Sequence, residues 1–248
     1  MSEVSLEGRV AFVIGGTRGI GEAIVQRLAG AGARVATMAR TADARADGDV
    51  LVLKGDVAIQ ADVERGVAGV VGRLGGIDIL VNCAGVVRRK PALETTAEDW
   101  DFILGVNVKG LFLACQAAAS VMRKAGRGRI VNISSLGAEL ALVNRAAYCA
   151  SKAAVMQLTR CLALEWGPYG ITVNAVGPGI TETPMTRGYL EADPRRRQTM
   201  VGKTPLRKLG APAMSPGAVL FLASDLAGYV TGQTIYVDGG WGLGDQDW

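Results

Sequence analysis

Short strand-like runs alternate with longer helical stretches along this chain. Seven short strand-like runs are RVAFVI (9–14), RVATMA (34–39), VLVLK (50–54), IDILVN (77–82), GRIVNIS (128–134), ITVNAV (171–176) and QTIYVD (233–238). Most are separated by helical stretches such as GIGEAIVQRLAGAG and AAYCASKAAVMQLTRCLALEWG. Strand–helix–strand alternation predicts an α/β fold with a parallel sheet covered on both faces. The ten residues between the second and third runs are rich in Asp, Ala and Gly and too few for a full crossover helix. With 49% apolar residues and only 5% aromatics, the core is expected to be Ala, Val, Leu and Ile on helices and parallel strands. No repeat or Pro/Ser-rich linker divides the 248 residues, so 1–248 reads as a single domain.

The first strand runs straight into GGTRGIG (15–21) and then a helix. Gly15, Gly19 and Gly21 let the backbone turn tightly and approach a pyrophosphate, whose charge sits on the helix N-terminus. Glycines often serve only as turns, but a strand before and a helix after make this a dinucleotide loop. No Gly-Lys-Ser/Thr closes it, so it is not a nucleotide-triphosphate loop. The end of the second strand should select the dinucleotide. About 20 residues past the loop stand Met38, Ala39, Arg40 and Thr41, with no acid to bond the ribose hydroxyls of NAD. Arg40, with Arg18 inside the loop as a second clamp, suits the 2′-phosphate of NADP. NAD is the alternative, with both arginines as plain surface charges.

The chain has no histidine, so acid/base chemistry near neutrality needs another group. Tyr148 and Lys152 in AAYCASK are four apart on a helix, hence on one face. An ammonium beside a phenol favours phenolate and is expected to lower its pKa. On its own the pair fits an ordinary amphipathic helix equally well. Without His or a cysteine cluster, a metal site is not expected. Cys83, Cys115, Cys149 and Cys161 read as structural thiols of a reducing compartment. The formal charge of +4 and basic clusters without interleaved aromatics do not suggest nucleic acid. The N-terminus does not read as a signal peptide and no apolar run reads as long enough to span a bilayer, so a soluble, cytoplasmic protein is expected.

Further motifs occur in a familiar order: DV at Asp56-Val57, NCAG at 82–85, NV at 107–108, ISS at 133–135, YCASK, PGITETPM at 178–185 and SDLAGYVTGQTIYVDGG near the end. Over nearly its whole length the chain resembles the short-chain dehydrogenase/reductase family. The resemblance implies a Rossmann-type, doubly wound parallel sheet of about seven strands and hydride transfer between a nicotinamide and a secondary alcohol or ketone. It implies that Tyr148 exchanges the proton with the substrate oxygen and that Ser135 hydrogen-bonds that oxygen. Lys152 would hold the nicotinamide ribose, and Asn107 would organise a water-linked relay ending at Lys152. Cofactor contacts are implied for Gly15, Thr17, Arg18, Gly19, Ile20, Gly21, Arg40, Thr41, Asp56, Val57, Asn82, Ala84, Gly85, Tyr148, Lys152, Pro178, Gly179, Thr181 and Thr183. Three departures stand out. Ile14 replaces the usual Thr before the first glycine, removing a bracing hydroxyl; Cys83 replaces an Asn; and the short segment after Arg40 leaves the adenine side less covered.

In the family, a mobile segment after PG covers the substrate; here it is 184–209, with five arginines, which suggests a lid over a polar substrate. GVVRRKPALETTAEDWD (85–101) and YVDGGW resemble the sugar-acid branch that includes gluconate 5-dehydrogenase and 2-deoxy-gluconate 3-dehydrogenase. Arg88 or Arg89 could reach a substrate carboxylate or belong to a solvated loop, and Arg195 to Arg197 read as surface charges. A 3-oxoacyl-carrier-protein reductase would share these motifs, and a non-catalytic NADP-sensing protein would share the fold. The resemblance also implies a homotetramer, packed through helices beginning near Asn107 and Ala146, with ACQAAAS as a small-residue face.

Overall fold

Strand β1 (Val10–Ile14) is buried at every position, and its side chains divide between two cores. Phe12 and Ile14 enter one and Ala11 and Val13 the other, as the two-residue repeat of a strand requires. The computed structural model describes residues 4–42, 45–47 and 50–244. From β1 the chain continues through α1 (Gly19–Gly30), β2 (Arg34–Ala39), β3 (Arg45–Asp47), β4 (Val50–Lys54), α2 (Gln60–Leu74) and β5 (Ile79–Asn82). It goes on through α3 (Ala97–Leu104), α4 (Leu111–Ala125), β6 (Gly128–Ile133), α5 (Ala146–Trp166) and β7 (Ile171–Pro178). The last third holds α6 (Pro184–Glu191), α7 (Pro194–Gly202), α8 (Pro216–Ala223) and β8 (Thr234–Val237).

The sheet order is β3-β4-β2-β1-β5-β6-β7-β8. The seven expected strands are all present and mutually parallel. The expected parallel sheet of about seven strands is found, with one addition at its edge. A short eighth strand, β3, pairs antiparallel with β4 at the sheet edge, where the segment after Arg40 has no room for a crossover helix. Residues 43, 44, 48 and 49 lie outside the described residues, and so does part of the question of adenine cover.

On one face Phe12, Met38, Leu80 and Ile130 pack beneath α2, α4 and α5; on the other Val13, Ile79 and Val131 pack beneath α1 and α8. Each fully buried large side chain contributes about 1.5–3 kcal/mol, so both faces are stabilising layers. The expectation that no run could span a bilayer is corrected. The helical run Ala97–Ala125 is long and apolar enough, but half of its most apolar window is buried within the chain. Ala114, Cys115, Ala118 and Ala119 face this core, which removes much of the small-residue face expected to meet a partner.

The sheet sets the position of the site. Strand order reverses between β1 and β5, and a crevice lies at the C-terminal ends of the strands there.

Candidate active site

The crevice begins at the glycine loop. Gly15 has φ +85°, and a Cβ on it would lie 2.7 Å from the Ala84 nitrogen, so the loops after β1 and β5 approach this closely only with glycine. A Cβ on Gly21 would lie 2.1 Å from the Gly15 carbonyl oxygen. The first helical bond of α1 runs from Glu22 N–H to Arg18 O (3.3 Å), leaving the preceding N–H groups directed at the cleft end of the helix. These features fit a dinucleotide pyrophosphate.

The hydroxyl missing at Ile14 is supplied from the neighbouring strand. Thr37 Oγ1, in β2 and 2% exposed, accepts the Gly16 N–H (3.0 Å) and donates to the Val13 carbonyl (2.8 Å). The loop is therefore braced after all. At the end of β2, Arg40 is about half exposed and its Nη1 lies 3.8 Å from Asp56 Oδ2.

At the far end of the cleft Tyr148, Ser135 and Lys152 meet. Ser135 leaves β6 and its Oγ accepts the Gly137 N–H (3.0 Å), which fixes it facing the phenol. Lys152, one helical turn beyond Tyr148 on α5, is 5% exposed and donates to the Ile133 carbonyl (2.8 Å). Its Nζ lies 5.9 Å from the centre of the Tyr148 ring. Burial pulls the Lys152 ammonium down to about 8. The expected lowering of Tyr148 is not found. Although part of the side chain opens to the cleft, burial raises the phenol above its ordinary value, with Ser135 and then the charges of Arg145 and Arg89 pulling the other way. Lys152, its Nζ 5.9 Å from the ring centre, is not among the groups that offset this desolvation. Cys83, beside Lys152, is pushed up to about 11 by burial and stays a neutral thiol.

A family model described as enoyl-(acyl carrier protein) reductase matches residues 15–242. The chain belongs to the short-chain dehydrogenase/reductase family. It is 39% identical over 245 residues to D-threitol dehydrogenase of Mycolicibacterium smegmatis, covering 95% of this chain and 94% of that one. It is also 39% identical over 245 residues to gluconate 5-dehydrogenase of Gluconobacter oxydans, covering 95% of each. A crystal structure of gluconate 5-dehydrogenase from Burkholderia cenocepacia in complex with NADP and tartrate matches with TM-score 0.91 at 35% identity, covering 97% of this chain and 98% of that one. The protein is an oxidoreductase of this family.

Of the residues expected at the site, Gly15, Thr17, Arg18, Gly19, Ile20, Gly21, Arg40, Thr41, Asp56, Val57, Ala84, Gly85, Ser135, Tyr148, Lys152, Pro178, Gly179, Thr181 and Thr183 line the cleft. Two do not. Asn82 is buried, its Nδ2 donating to Asn132 Oδ1 (2.9 Å) and Cys115 Sγ (3.1 Å) behind the cleft wall. Asn107 is fully buried in a π-helical turn, Gly105–Gly110, between α3 and α4. Its amide accepts the Val86 N–H (2.8 Å) and donates to the Val86 carbonyl (3.0 Å) and Ser151 Oγ (2.9 Å). It therefore pins the loop after β5 to α5, the helix that carries Tyr148 and Lys152, consistent with the tendency of π turns to mark functional sites.

Arg88 is not available to a substrate. It and Lys90 both pair with Asp99, which caps α3 and whose carboxyl these bonds hold well below the usual range. Arg197 pairs with Glu182, as a surface charge should, but Arg196 packs against Tyr189. The 184–209 segment folds as two helices, α6 and α7, and Pro184, Met185 and Thr186 of α6 join the cleft wall. Sequence reasoning missed Met185 and Val86 on that wall, because nothing in either side chain signals chemistry.

Proposed function

We propose that the protein is an NADP-dependent dehydrogenase that interconverts a secondary alcohol and a ketone on a small polyhydroxylated substrate, a sugar acid or polyol. The observation that carries this reading is the meeting of Tyr148, Ser135 and Lys152 at one end of a cleft whose other end is the glycine loop. The bound nicotinamide supplies the hydride chemistry. In the oxidation direction, Tyr148 as phenolate takes the proton of the substrate hydroxyl while Ser135 donates a hydrogen bond to the same oxygen. Lys152 holds the nicotinamide ribose. Asn107 acts by positioning: it keeps the 85–86 loop and α5 in register, and a water it organises links Lys152 to solvent.

Arg40 and Arg18 hold the 2′-phosphate, and no acid at the end of β2 opposes it. The relatives named for threitol and gluconate, and the neighbour bound to NADP and tartrate, support a small polar substrate. Helices α6 and α7 act as its lid. The four free cysteines fit a cytoplasmic enzyme, and exposed Leu164 and Tyr229 fit burial in a homotetramer. Titration with NADPH and NADH, followed by a panel of sugar acids, polyols and an acyl thioester, tests the reading. NADPH preference with oxidation of a polyol or sugar acid supports it. Turnover of the thioester alone would make the protein a 3-oxoacyl reductase, and cofactor binding without turnover would make it a sensor.

A further inference from the structure

Tyr189, on α6, is surrounded by arginines. The guanidinium carbons of Arg89, Arg145 and Arg196 lie 4.8, 4.6 and 4.3 Å from its ring centre. They come from three separate parts of the chain: the loop after β5, the residue preceding α5, and α7. Among the described residues none of the three is paired with a carboxylate, whereas Arg88 and Arg197 beside them each have one. Arg196 does bond the Tyr189 carbonyl (2.7 Å), which fixes α7 against α6.

Three cations on one ring repel, and stacking on an aromatic face offsets only part of that. The strain is visible at Arg89, whose pKa is lowered by burial and by Arg145 and Arg196. Its Nε is buried without any hydrogen-bond partner. A buried donor left unmet is costly, and a guanidinium edge matches a planar carboxylate.

The cluster adjoins the reacting end of the cleft. Arg145 precedes Tyr148 by three residues, and the charges of Arg145 and Arg89 both reach the phenol. Arg89 Nη1 lies 3.5 Å from the carbonyl oxygen of Met185, a cleft-wall residue.

We propose that Arg89, Arg145 and Arg196 form the binding site for the substrate's carboxylate, making the substrate a polyhydroxy acid rather than a neutral polyol. The inference rests on the dehydrogenase reading for the kind of molecule that enters. An anion there relieves the repulsion and holds the substrate by one end while a carbinol carbon lies near Tyr148. Because Tyr189 and Arg196 belong to α6 and α7, the same contact draws those helices onto the bound substrate.

The test is calorimetry on the NADP-loaded protein with gluconate and with sorbitol, which carries a hydroxymethyl group in place of the carboxylate. Arg89→Gln and Arg196→Gln should each weaken gluconate about tenfold or more, as loss of a charged hydrogen bond does, and leave sorbitol unchanged. Arg89→Lys should recover part of the loss. Gluconate binding by the wild type should also weaken with added salt while sorbitol binding does not, a readout that needs no variant. Equal gluconate affinity in the Gln variants, a salt-independent affinity, or no gluconate binding would overturn the site. Arginine-dependent gluconate binding without hydride transfer from either compound would instead refute the dehydrogenase reading and leave the carboxylate site standing.

Discussion

At the scale of single residues, burial acts on Tyr148 and Lys152 in the same sense, favouring the neutral form of each. The pair is therefore costly to charge until a bound cofactor and substrate provide partners. Tyr148→Phe removes only the hydroxyl proposed to carry the proton; turnover should fall by about 10²–10⁴-fold with NADPH affinity unchanged, measured by fluorescence titration. Lys152 gives a prediction whose sign is unusual for a lost active-site charge. Its pKa is about 8 in the folded protein against 10.5 for the free group, so below pH 8 the folded state carries the full cost of a buried ammonium, about 3 kcal/mol. As pH rises from about 8 to 10.5 the folded side chain is already neutral while the unfolded one still binds its proton, and wild-type stability increases through that window. Lys152→Met should lose activity yet melt several degrees higher than wild type at pH 7, the gap narrowing towards pH 10. A lower melting temperature at pH 7 would show that the bond to Ile133 outweighs desolvation. Arg40→Ala should weaken NADPH by about 10–100-fold and leave NADH unchanged, as expected for one charged contact to a phosphate.

At the scale of elements, the glycine loop and the π turn show what holds the site open. Thr37→Val keeps the shape of β2 but leaves the Gly16 N–H unsatisfied in a buried place, costing about 1–3 kcal/mol by denaturant unfolding and loosening the loop enough to weaken NADPH. If stability and affinity both hold, the brace is dispensable. The sequence shows Thr37 only as one polar residue in an apolar strand, because which neighbouring loop a strand side chain meets depends on sheet order. Asn107 was legible as a site residue by resemblance, but its inward turn was not. It depends on a local π turn, where the backbone departs from the helical repeat by which side chains are placed from sequence. Tyr148 and Lys152, by contrast, sit on a regular helix, where i and i+4 fix their common face.

At the scale of the whole molecule, one sheet with a reversal of strand order brings together residues from nearly the full length of the chain. The parallel strands were legible because burial on two faces leaves short apolar runs bounded by helices. Strand β3 was not, since three residues at an edge, RAD, carry no apolar pattern. The cation cluster at Tyr189 was equally hidden: Arg89, Arg145 and Arg196 are far apart in sequence, and their charges meet only when α6 and α7 pack beside the cleft. Whether this cleft joins an NADP site to a tyrosine–lysine acid/base pair is read from nicotinamide absorbance on mixing the protein with NADP and a panel of sugar acids and polyols, in parallel with the Tyr148→Phe variant. Reduction of NADP by the wild type on at least one of them, lost in the variant although it still binds the cofactor, is the predicted result; equal turnover by both proteins would contradict it.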